Sequence, residues 1–307
     1  MSGMHRDRVE TKDRPGLHER FRLLILLASA ALVNGYAAGF AGCKIFTGTS
    51  KMVCLPVLNC YSCPGALGAC PIGSLQAVEG GAKHNISFYV LGTLMLLGVL
   101  FGRLICGFLC PFGLVQDLLG RIPARKLHVP EKIDKPLRYL KYVILAVLVI
   151  LLPMLAVNQF GIAPPYFCKY ICPAGTLEGG IPHLLMNESL RKTAGALWNW
   201  KLGILILVIL GSVFVPRFFC RYLCPLGAFY SLFNRFSLFR MDLDKSKCVD
   251  CKSCENVCPM AVKVTEHINS PECIRCGKCK AVCPVDAISS RFETDMLTRN
   301  VAVKKVD

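Results

Sequence analysis

Eight cysteines near the C-terminus carry the most specific chemistry in this chain. They fall as Cys248-x-x-Cys251-x-x-Cys254-x-x-x-Cys258-Pro259 and again as Cys273-x-x-Cys276-x-x-Cys279-x-x-x-Cys283-Pro284. The first three thiolates of such a run wrap one iron–sulfur cube from a tight loop, and the fourth, followed by proline, reaches the other cube. The spacing predicts one [4Fe-4S] cluster on Cys248, Cys251, Cys254 and Cys283, and a second on Cys273, Cys276, Cys279 and Cys258. The competing reading is a pair of four-cysteine zinc sites. Zinc needs no crossed fourth ligand, and its cysteine pairs usually stand farther apart.

The remaining cysteines recur beside proline and glycine at matched offsets. Cys106-Gly-Phe-Leu-Cys110-Pro111-Phe-Gly113 and Cys220-Arg-Tyr-Leu-Cys224-Pro225-Leu-Gly227 each place two sulfurs four residues apart, on one face if the segment is helical. Proline then ends the helix and glycine lets backbone approach a ligand closely. Together they supply the four thiolates of a third, inner cluster. Cys168-Lys-Tyr-Ile-Cys172-Pro173-Ala-Gly175 repeats the pattern, and Cys63-Pro64 and Cys70-Pro71-Ile-Gly73 offer partners for it. Cys63, Cys70, Cys168 and Cys172 are therefore the expected ligands of a fourth, outer cluster, with Cys43, Cys54 and Cys60 as alternatives. Disulfides among these seven are the rival reading if their compartment is oxidising. The turn shared with the inner sites favours the cluster.

Composition says what positions these cysteines. Hydrophobic residues make up 53% of the 307 and the mean hydropathy is +0.47, which points to a membrane portion. Four apolar stretches qualify as spans, at about 23–42, 86–105, 139–157 and 196–215, with Arg103 placed to snorkel at the end of the second. The expected architecture is an all-α four-helix membrane domain (23–240) with an internal duplication, a leader (1–22), and a small α+β two-cluster ferredoxin domain (241–307) that needs its metal to fold. Lys and Arg number six in residues 1–22 and eight in 103–141, against three in 43–85 and three in 158–195. That bias places both termini in the cytoplasm of a prokaryotic cell and the 43–85 and 158–195 loops outside. The net charge of +16 is spread over the ends of apolar segments, which argues against nucleic acid as partner. The leader has no cleavable signal peptide. No histidine lies in a span, so a bis-histidine haem in the bilayer is excluded, and no carboxylate lies there to carry protons. His84 and His183 on the outer side could serve a quinone.

The inner cysteine turns and the double ferredoxin motif, over about residues 86–290, resemble the NapH/NosR/CcoG group of membrane-bound polyferredoxins, NapH-type subunits above all. The outer cysteines exceed what the NapH pattern requires. The resemblance implies a non-catalytic subunit of an oxidoreductase complex, set in the lipid bilayer beside other redox subunits. It would relay electrons between a cytoplasmic donor and a quinone or extracytoplasmic acceptor. A redox sensor or metalloenzyme-assembly factor using the same clusters is the alternative.

Overall fold

Prolines and glycines decide where the apolar stretches become helices and where those helices stop. In the computed structural model, which describes residues 14–42, 44–81, 87–127, 129–156, 158–159 and 162–292, the chain is mostly helical. Helix α1 covers Arg14–Val33, α2 Pro71–Glu79, α3 Phe88–Phe101, α4 Pro111–Leu119, α5 Glu131–Leu155, α6 Ala196–Phe214 and α7 Pro225–Phe233. Among the described residues α5 and α6 are long and apolar enough to cross a membrane, with mean hydropathies of 2.0 and 1.8.

The other two expected spans are interrupted. Helix α1 begins within the polar leader and stops at Val33, before a short helix Ala37–Gly42. At the break the Asn34 and Asn59 amides donate to each other at 3.1 and 3.0 Å, and the Leu67 amide donates to Val33 O at 3.0 Å. A satisfied buried amide pair outweighs one more helical turn. Helix α3 has only 14 residues and ends at Gly102 with φ +55°, where a Cβ would lie 2.6 Å from Asn234 Oδ1.

A short helix holding Cys106, Leu104–Phe108, follows the break after α3, and another holding Cys220, Phe218–Tyr222, follows the end of α6. Cys110 and Cys224 lie beyond these and cap α4 and α7. The expectation that each pair shares one helix face is thereby corrected. A residue before proline is driven out of the helical region, and Cys110 (φ −74°, ψ 116°) and Cys224 (φ −75°, ψ 111°) adopt extended backbone. The sulfurs instead turn towards a common space between helix ends.

The C-terminal ferredoxin-type segment pairs β1 (Phe239–Leu243) antiparallel with β2 (Ile288–Phe292), Met241 opposite Ser290. Between them its loops run through six left-handed non-helical positions that form three pairs at equal offset: Asp250 and Arg275, Lys252 and Gly277, Ala261 and Asp286. The two cysteine runs keep that offset, so the same tight winding is built twice. This segment is not a separately packed bead. Met260, Val262, Ile274 and Cys276 belong to the same buried core as Cys106, Cys110, Cys220 and Cys224.

Buried ion pairs fasten the two parts. Arg103 does not snorkel: fully buried, it donates to Glu272 Oε2 at 3.1 Å, Pro271 O at 3.0 Å and Cys220 O at 3.2 Å. Asp117 on α4 accepts from Arg22 at 2.7 Å and from Arg217 at 2.7 Å. Burial opposes ionisation of Asp117, but the two guanidinium groups win and hold its carboxyl well below the usual range. Its contribution to stability is thus present above an unfolded value of about 4 and is lost as pH falls towards the lower folded value. Asp117→Asn should cost about 3–5 kcal/mol at pH 7 by leaving buried cations unpaired. In thermal melts from pH 7 to pH 3 the gap to the wild type should begin to narrow below about pH 4. A constant gap would show that charge is not the cause.

Candidate metal centres

Four cavities in the structure are each walled by four cysteines. Cys248, Cys251, Cys254 and Cys283 line one of about 340 Å³ of empty space. Cys258, Cys273, Cys276 and Cys279 line a second of about 390 Å³. Cys106, Cys110, Cys220 and Cys224 line a third of about 350 Å³. Cys60, Cys70, Cys168 and Cys172 line the fourth, a wider and more open one of about 850 Å³ that Lys169, Lys201 and His183 also line.

The outer set departs from expectation by one residue. Cys60, half-buried, stands at the cavity, whereas the more deeply buried Cys63 lies outside all four sets of walls. The two share a turn in which the Cys63 amide donates to Cys60 O at 3.0 Å. The Cys60 amide donates to Glu178 Oε2 at 2.7 Å, and Gly179 packs so close that a Cβ there would meet Cys60 Sγ at 3.2 Å. These contacts come from the far side of the chain and aim Cys60, not Cys63, inward. Cys54 is buried beside Ala69 and lines none of these four cavities. Cys43 lies outside the described residues, as does His84. All described cysteines are free thiols.

The donor set fits a large polynuclear group better than one ion. Among the described residues no three His, Cys, Asp or Glu side chains are grouped tightly enough to hold a single metal. Sulfurs set around a void suit a cube that fills it. Backbone amides already point at them: Gly175 at Cys172 Sγ (3.4 Å), Gly227 at Cys224 Sγ (3.3 Å), Val262 at Cys258 Sγ (3.4 Å), Arg275 at Cys273 Sγ (3.4 Å) and Ala287 at Cys283 Sγ (3.4 Å). Burial pushes the Cys273 thiol up to about 12, so it becomes a thiolate only if a cationic centre displaces the proton.

Charge points the same way. Around the inner cavity and the Cys273 loop the structure buries Arg22, Arg103, Lys141, Arg217, Arg221 and Arg275. Their carboxylate partners among the described residues are Asp117, Asp134 and Glu272. Arg275 donates to backbone carbonyls alone, Phe101 O at 3.0 Å and Asn234 O at 2.6 Å. A buried excess of cations is costly unless an anion is seated among them, and thiolate-held clusters are anionic. Arg103 and Arg217 each precede the first inner cysteine of their half by three residues, and each donates to the carbonyl of the other half's cysteine: Arg103 to Cys220 O at 3.2 Å, Arg217 to Cys106 O at 2.7 Å. Spacing of cysteines alone carries no sign of this pairing; two arginines at one offset from two matched motifs would have been the signal.

The cavities stand in series. Met241, Val264 and Ile288 pack between Cys254 and Cys279. Ile274 and Cys276 press on Gly107, where a Cβ would meet Ile274 O at 2.5 Å. Leu58 lines both the inner and the outer cavity, with the Leu58 amide against the Cys110 sulfur and the next amide, of Asn59, against Cys70. Tyr230, fully buried, anchors this loop by donating to Pro56 O at 3.0 Å.

Comparison with known proteins agrees with this chemistry. A family model described as a 4Fe-4S binding domain matches residues 84–130, 142–184 and 200–245, and a second 4Fe-4S binding domain matches residues 266–289. An uncharacterized protein of Methanocaldococcus jannaschii is 36% identical over 184 residues, 58% of this chain and 60% of its own length. The methylamine utilization ferredoxin-type protein MauN of Paracoccus denitrificans is 30% identical over 242 residues, 76% of this chain and 72% of its own. The regulatory protein NosR of Stutzerimonas stutzeri is 30% identical over 192 residues, 57% of this chain but only 22% of its own. No solved structure matches.

Proposed function

Because this chain belongs to the NapH/NosR-like family of polyferredoxins, we propose that it relays single electrons through four [4Fe-4S] clusters between a cytoplasmic donor and an acceptor met at the outer cavity. Iron–sulfur electron transfer is the activity its domains serve; the number of clusters, their ligands and the direction across a membrane are our reading. The observation that carries it is the set of four cavities in series, each walled by four cysteines. Bound there, cubes supply one-electron storage at potentials tuned by charge, hydrogen bonding and exposure.

The chain's own residues do the rest. Cys248, Cys251, Cys254 and Cys283 would hold the first cluster, and Cys258, Cys273, Cys276 and Cys279 the second. Cys106, Cys110, Cys220 and Cys224 would hold the third, and Cys60, Cys70, Cys168 and Cys172 the fourth. Phe112, Phe219 and Leu226 exclude water around the inner site. The Pro56–Asn59 segment brings the outer site up to the inner one, so a path across ~30 Å of hydrocarbon is divided into short steps. In this reading the membrane domain is a duplicated four-span bundle of a prokaryotic inner membrane, α5 and α6 spanning fully. Both termini are cytoplasmic, and other redox subunits bind at the two ends of the path. A quinone or an extracytoplasmic protein meets the chain near Lys169, Lys201 and His183.

Iron and acid-labile sulfide counting on anaerobically purified protein tests this. The wild type should hold roughly sixteen irons. Cys60→Ser should remove about four and leave the ferredoxin EPR signals, while Cys63→Ser should keep the full count. Equal loss from both variants, or from neither, would sink the outer site as assigned.

A further inference from the structure

Two glutamines outside every cysteine motif occupy equivalent places beside the membrane cavities. Gln76 follows Cys70 by six residues on α2, and Gln116 follows Cys110 by six on α4. Both are buried, at 0% and 1% exposure. The Gln76 side-chain oxygen accepts from the Phe167 amide at 3.0 Å, and that of Gln116 accepts from the Phe219 amide at 3.0 Å and the Cys220 amide at 3.3 Å. The side-chain NH2 then donates one turn back, to Ile72 O at 3.0 Å or Phe112 O at 3.4 Å, and onto sulfur: Gln76 to Cys168 Sγ at 3.5 Å, Gln116 to Cys220 Sγ at 3.1 Å. The amide orientation follows from the partners, since only its oxygen can meet a backbone N–H and the NH2 is thereby turned to the sulfur.

We propose that Gln116 and Gln76 are positioning residues that set the reduction potentials of the inner and outer clusters by an N–H···S bond to Cys220 and Cys168. The inference rests on the cluster reading above. Each glutamine locks the backbone just before the first cysteine of one half to a helix of the other, so the sulfur cannot drift from its donor. A donor at sulfur stabilises the more negative, reduced cluster and raises its potential. The inner bond is the shorter, so the inner cluster feels the larger effect. Nothing in the cysteine spacing demands a glutamine at either place; the repetition of the same contacts at both sites does.

The test uses the full-length protein. With glutamine side-chain amides labelled with 15N, pulsed EPR on the reduced inner cluster should show a coupled nitrogen, absent in Gln116→Met. Potentiometric EPR of Gln116→Met should show a lower inner midpoint, a roughly tenfold change in the oxidised-to-reduced ratio, equivalent to about 59 mV for one electron, with iron content unchanged. Gln76→Met should lower the outer midpoint alone. If Gln116→Met loses iron, the 15N coupling in the wild type decides. No coupling, or a coupling with an unmoved midpoint, overturns the proposal while the clusters stand. A wild type with only the roughly eight irons of the ferredoxin motifs overturns the cluster reading and this inference together.

Discussion

Alanine at Cys224 should remove about four irons from the purified protein and leave both ferredoxin EPR signals in place, and the same four irons should go when Cys106, Cys110 or Cys220 is replaced instead. The four sulfurs wall one cavity, and a cube that loses one thiolate there gains no substitute, because the other lining side chains are apolar apart from Arg103, a donor with no lone pair to offer iron. Arg103 and Arg217 then lose the anion they surround, so the variant should also melt earlier than the wild type. With the inner cluster gone, reduction of the ferredoxin clusters should no longer be followed by reduction of the outer one in a stopped-flow experiment. Four variants with four unrelated iron losses would show that these cysteines do not share a site.

Glu272→Ala carries the next largest effect, a loss of about 3–5 kcal/mol. Lys141 donates to Glu272 at 2.6 Å and Arg103 at 3.1 Å, and both cations are 0% exposed. Burial raises the Glu272 carboxyl, yet these two neighbours outweigh it and keep the group below its ordinary value, hence ionised at neutral pH. Removing it strands two buried positive charges at the seam between the ferredoxin segment and the helices. The expected outcome is protease cleavage within residues 241–292 at a denaturant concentration where the wild type resists, with iron lost from the ferredoxin clusters first. Glu272→Gln should fall between the two, because it restores hydrogen bonds without charge. Equal stability of all three would mean that the seam is held by packing alone.

Much of the site was legible because iron–sulfur ligation is local in sequence. Three cysteines on one tight loop can reach one cube and no other, so the sets around Cys248 and Cys273 follow from spacing, and the structure walls two cavities with those same residues. Cys-Pro at the end of an apolar stretch likewise has one local outcome, an extended cysteine capping a new helix, and it recurs at Cys70, Cys110 and Cys224. Apolar runs such as 139–157 and 196–215 read directly as long helices; in the first, a π-helical stretch at Ile144–Leu151 and Pro153 are absorbed without ending the helix.

What the chain alone left undecided depended on contacts between residues far apart in it. The 23–42 run looks uninterrupted, but its helix stops where Asn34 finds Asn59. Arg103 sits where a snorkelling residue would sit, yet it turns inward because Glu272, 169 residues later, offers a charge to pair with. Cys60 and Cys63 are indistinguishable by spacing, and Cys63 even carries the proline. The tertiary contacts tell them apart: Glu178 holds the Cys60 amide, Gly179 leaves room beside the Cys60 sulfur, and Cys60 lines the cavity. Spacing determines which sulfurs can share a loop; which sulfur from another loop completes the set is settled by packing and buried charge, and those act only once the distant segments have met.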